Sequence, residues 1–145
     1  MYLPPADRAM RMGCTGEMSP PDPDRLRSIL RAALADAMKR RDRDAASAYR
    51  VALGAIDSAE APPLDEAARA GAIESSPVGV GATEALRLRL TWGEVADIID
   101  REAADRRDAA DLLESANPAQ CAILRRQAVL LDAIVETAQR GYSGY

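Results

Sequence analysis

From Asp24 onward the chain places apolar residues at three- and four-residue steps. Leu26, Ile29, Leu30, Ala33, Leu34, Ala37 and Met38 form the single stripe of an amphipathic helix. Asp24, directly after Pro23, reads as its N-cap. Lys39, Arg40 and Arg41 gather at its end, where cations complement the helix dipole. A short connection over 41–44 offers Asp42 or Asp44 as the next N-cap. A second helix then runs to about Glu60, with Tyr49, Leu53 and Ile56 on one face beside Ala45, Ala48, Ala52 and Ala55. So short a link makes the pair an antiparallel hairpin, and Pro62-Pro63 stops it.

Glycines and Pro77 interrupt the period over 61–90, which predicts a loop with room for a short helix at 64–70. Its Gly79-Val80-Gly81 is no phosphate loop: no Lys-Ser/Thr follows, and no strand leads through it into a helix. Thr91 and Glu94 have the spacing of a capping box. They open a third helix that reaches about Ser115 and buries Val95, Ile98, Ile99, Ala103, Ala110 and Leu113. Asn117-Pro118 marks the next turn, with Asn117 suited to a left-handed C′ position and Pro118 to the first helical position. The fourth helix, Ala119 to about Gln139, is apolar at 121, 124, 128, 131 and 135 and again at 123, 130 and 134. This double stripe predicts the most buried helix of the set. Gly141 ends it, leaving 141–145 as a frayed terminus. Residues 1–23 show no period and read as a disordered tail. The expectation is therefore all-α: two helical hairpins forming a small four-helix bundle over 24–140.

Composition supports that pattern. Of 145 residues, 30 are alanine, the strongest helix former, while phenylalanine is absent and tryptophan occurs once. The length allows one domain with a modest core. Cys14 and Cys121 are far apart in sequence, which predicts unpaired thiols in a reducing compartment. No apolar run approaches the roughly 20 residues that span a bilayer. The N-terminal stretch lacks the apolar segment of a secretion signal, so a cytoplasmic, non-membrane protein is expected. The sequence contains no histidine. That removes Ser-His-Asp and Cys-His catalysis, Glu-x-x-His metal sites and imidazole acid–base chemistry. Neither catalytic residues, a metal site nor a cofactor is expected.

Charge divides unevenly. Residues 25–60 hold eight basic and five acidic groups, whereas 91–117 hold three basic and eight acidic groups. The two segments are expected to attract one another. The candidate site is the cationic cluster Lys39, Arg40, Arg41 and Arg43 at the first turn, with Arg50 further along the second helix. Guanidinium forks pair bidentately with phosphate oxygens, so the cluster points to RNA or another phosphate ligand. The acidic pI near 4.9 argues against broad nucleic-acid affinity. The acidic residues of the third helix, interleaved with Arg101, Arg106 and Arg107, read as a solvated or salt-bridged face.

The stretch 26–60 resembles the opening of GatB/YqeY proteins. It carries Ala37-Met38-Lys39, a charged turn over 40–44, Tyr49-Arg50, Ala55-Ile56 and a closing Glu60. A second likeness lies at 94–116, where Arg106-Arg107 stand at the double arginine of the family's long charged helix. Pro77 to Gly81 also resembles the linker of members from GC-rich bacteria. The chain departs from the family at Asn117-Pro118, where members carry a glycine and an arginine, and its fourth helix lacks their Tyr-Leu-Pro. Read as a member, it is shortened at the C-terminus and lacks the second small helical domain. The resemblance implies a non-catalytic module that binds tRNA or a protein partner connected with tRNA-dependent amidation. It also implies an alternative, a component of a carbon–nitrogen ligase using glutamine as amide donor. A self-associating helical bundle is the third expectation.

Overall fold

The computed structural model describes residues 21–62 and 88–143. They form four helices: α1 (Pro23–Lys39), α2 (Arg43–Glu60), α3 (Trp92–Leu113) and α4 (Pro118–Ser143). The tail before Pro21 and most of the 61–90 loop lie outside the described residues, as do Cys14 and the Pro77–Gly81 linker. The all-α, four-helix expectation holds. No helix among the described residues is long and apolar enough to cross a membrane.

The helix ends show where local chemistry overrode the sequence reading. α1 is capped by Asp22, whose carboxylate accepts the Asp24 N–H at 2.9 Å. Pro23 thus sits inside the helix rather than before it, because its missing N–H has no partner to lose in the first turn. The end of α1 is a Schellman turn. The Asp42 N–H donates to the Ala37 carbonyl at 2.9 Å and the Arg41 N–H to that of Met38 at 3.1 Å. Arg41 occupies its left-handed position with φ 58°, a conformation that costs a non-glycine residue about 1–2 kcal/mol. Asp42 then caps α2, accepting the Ala45 N–H at 3.1 Å.

The capping box of α3 is complete. Thr91 Oγ1 accepts the Glu94 N–H at 3.2 Å, and Glu94 Oε2 accepts the Thr91 N–H at 2.7 Å. α3 stops at Leu113, two residues short of the expected Ser115. Asn117 is not left-handed; its side-chain oxygen accepts the Gln120 N–H at 3.1 Å and caps α4 instead. α4 passes through Gly141 and ends at Ser143, so 141–143 are helix and not a frayed end. A Cβ at Gly141 would collide with the guanidinium of Arg25, so the missing side chain gives that arginine room across α4.

Leu26, Leu30, Ile56, Val95, Ile99 and Leu131 are fully buried, and alanines fill most of the remaining core. α2 buries six of its 18 residues, a larger share than α4, where Val129 is exposed. The double stripe of α4 overstated its burial because Ile123, Leu124 and Leu130 are only partly covered. Ile98, Leu113 and Leu34 are likewise part-buried, and Met38 is exposed.

Each helix of the first hairpin packs on both helices of the second. Four aligned rods would leave two diagonal pairs apart, so the hairpins cross. Ion pairs pin the arrangement. Arg27 joins Glu60 at the open end of the first hairpin, and there the Leu88 N–H donates to the Glu60 carbonyl at 3.1 Å, bringing the chain back after the loop. Arg107 pairs with Asp132, and Arg125 reaches Glu114 at 3.2 Å and Asp111 at 3.4 Å. The acidic α3 therefore spends charge on α4. No ion pair among the described residues joins it to the first hairpin, contrary to the charge-split expectation.

Candidate phosphate site at the first helical turn

The Schellman turn and the start of α2 enclose an open depression of about 620 Å³. Arg41, Arg43 and Arg50 line it, with Ala37, Met38 and Ala46 as apolar surface and Asp42 at the edge. Arg43 and Arg50 lie seven residues apart on α2, two turns or roughly 10.5 Å along one face. Ala46, between them, is buried and keeps the floor shallow. Arg41 comes from the turn itself, placed by its left-handed backbone. Three of the five sequence-predicted cations are thus brought together. Lys39 and Arg40 do not line the depression, and Arg40 pairs with Asp36 one turn earlier at 2.8 Å.

The side chains of these three arginines form no hydrogen bond or ion pair among the described residues, whereas Arg27, Arg106, Arg107, Arg125, Arg126 and Arg140 each hold a carboxylate. An unpaired guanidinium keeps its five N–H donors available to a ligand. The neighbouring carboxylate is neutralised from elsewhere. Asp42 receives a two-pronged contact from Arg126 of α4, at 3.0 Å and 2.5 Å, besides the Ala45 N–H. The Arg126 hydrogen bond first, then that of Ala45, hold its carboxyl well below the usual carboxylate range. It stays ionised in mild acid and its charge is met by Arg126, so it does not cancel the arginines. Gln127, beside Arg126, is buried and donates to the Asp44 carbonyl at 2.9 Å, which fixes α4 under the turn. The N-terminus of α2 adds the positive end of its dipole to the same spot.

Two contributors escaped the sequence reading. Met38 belongs to the apolar stripe of α1, yet 54% of its surface is exposed at the mouth of the depression. Its position at the very end of that stripe, directly before three cations, was the available signal. Arg126 had none, being 84 residues from Asp42.

The site holds no general acid or base suited to neutral pH. Tyr49, nearby on α2, is buried, and burial pushes its phenol up. No cluster of His, Cys, Asp and Glu among the described residues could hold a metal ion. A smaller hollow of about 350 Å³ lies between Pro21, Trp92, Gln139 and Tyr142. The Trp92 indole N–H is buried beside it without a hydrogen-bond partner. Cys121 is a buried free thiol.

Among the described residues, four helices carry an exposed depression lined by three arginines over an apolar floor. Comparison with known proteins adds no relative: no protein-family model, no curated protein and no solved structure matches the chain.

Proposed function

We propose that this chain is a non-catalytic, cytoplasmic RNA-binding module that grips phosphates in the depression at the α1–α2 turn. One observation carries the reading: Arg41, Arg43 and Arg50 line one depression, and the carboxylate beside them, Asp42, is held by Arg126. Guanidiniums match phosphate oxygens in shape and charge. The strain at Arg41 supports the same reading, since this turn position, where glycine would adopt φ 58° without cost, carries a cationic side chain that lines the depression. The resemblance to GatB/YqeY proteins supplies tRNA as the RNA and tRNA-dependent amidation as the setting.

Total tRNA titrated against the full chain tests this. Three arginines give weak binding, with a dissociation constant of about 10⁻⁴–10⁻⁶ M at physiological salt. The log–log salt slope is about −2 to −3, since each neutralised phosphate releases counterions. Changing Arg41→Gly, Arg43→Gln and Arg50→Gln together abolishes binding without unfolding, because all three are exposed and glycine suits the turn. Arg40→Gln, outside the depression, leaves binding unchanged. Parent-like binding by the triple variant, or none by the parent at low salt, overturns the reading.

A further inference from the structure

We infer that the depression holds a whole nucleotide unit, with its phosphate on the arginines and its base against Met38. The inference rests on the phosphate reading above and adds what lies beside the phosphate. A patch meant for phosphate oxygens alone needs cations and little else. This one is an open depression of about 620 Å³, with room for a base beside the phosphate. It is also two-sided in chemistry. Arg41, Arg43 and Arg50 supply charge, while Ala37, Met38 and Ala46 supply apolar surface.

Met38 is the informative member. The rest of its stripe turns inward, but Met38 stands 54% exposed between the Schellman turn and α2. A flexible, polarisable thioether packs well against an aromatic face, and guanidinium planes stack on bases as readily as they pair with phosphate. Anionic oxygens joined to a flat aromatic group describe a nucleoside monophosphate, free or as one unit of a single strand. A lipid phosphate or a phosphoserine shares the anion but brings no ring for Met38.

The full chain is titrated calorimetrically with inorganic phosphate, adenosine monophosphate, a single-stranded adenylate trinucleotide and a phosphoserine peptide. Adenosine monophosphate is expected to bind about two- to tenfold tighter than inorganic phosphate, the size of one sulfur–aromatic contact. Met38→Ala, an exposed position whose loss leaves the core intact, should erase most of that advantage while leaving phosphate affinity unchanged. Arg41→Gly should weaken all four ligands. A trinucleotide tighter than the mononucleotide assigns the site to a strand, and equal affinity assigns it to free nucleotide. Equal binding of phosphate and nucleotide, no effect of Met38→Ala, or a phosphoserine peptide as tight as the nucleotide overturns the base contact. In those cases the arginine site stands if Arg41→Gly still weakens phosphate. If no anion binds and Arg41→Gly changes nothing, the phosphate reading falls as well.

Discussion

Gly54 and Gly141 are both helical, yet they differ in what surrounds them. Gly54 lies within α2 on an exposed face, and a Cβ there would meet nothing within 4 Å. Gly141 lies under the Arg25 guanidinium. Gly54→Ala should therefore raise unfolding free energy by about 0.5–1 kcal/mol through backbone entropy alone, measured by urea denaturation. A loss of stability there would mean that α2 packs differently. The same contrast between local and distant chemistry governs the candidate site. That Arg40 has a partner was readable from Asp36 one turn away. That Asp42 is claimed by Arg126 was not, because residues 84 apart meet only once the hairpins have crossed. The five cations picked out from sequence therefore include the three that line the depression, but sequence did not tell them from Lys39 and Arg40.

Element by element, the stripes and caps were legible where a single job fits the residue. Thr91 and Glu94 stand at the spacing of a capping box and form one. Thr91→Ala should cost about 1 kcal/mol, within the 0.5–2 range for lost N-caps, and hydrogen exchange should show the first turn of α3 opening before the rest. An unchanged midpoint and unchanged exchange would show that Trp92 packing, not the cap, sets that helix start. Asn117 and Pro23 were read less well because each suits two positions. Asparagine serves as a left-handed C′ or as an N-cap, and the hydrogen bond to Gln120 decided for the cap. Proline can precede a helix or begin it, and the Asp22 carboxylate, capping the Asp24 N–H, decided for the latter. Gly141 misled for another reason: its lack of a side chain marks the crossing of Arg25, not a helix end.

At the scale of the whole molecule, apolar periodicity tells which face of a helix is buried but not against which partner. Four helices in two hairpins were readable; their crossing, and the docking of α4 beneath the first turn through Arg126 and Gln127, were not. That docking matters for function, since it neutralises Asp42 and leaves Arg41, Arg43 and Arg50 facing outward without partners. No ion pair among the described residues joins the acidic α3 to the first hairpin, so overall negative charge and a local phosphate site coexist in one small protein. The most direct test is to map the binding of single-stranded RNA by nuclear magnetic resonance, following arginine side-chain Nε–Hε signals and backbone amides. The site described here predicts shifts at Arg41, Arg43 and Arg50 and at the Met38 and Ala46 amides, fading as salt rises. Shifts confined to exposed arginines elsewhere, such as Arg25, Arg31, Arg89 and Arg101, with the α1–α2 turn unmoved, would contradict it.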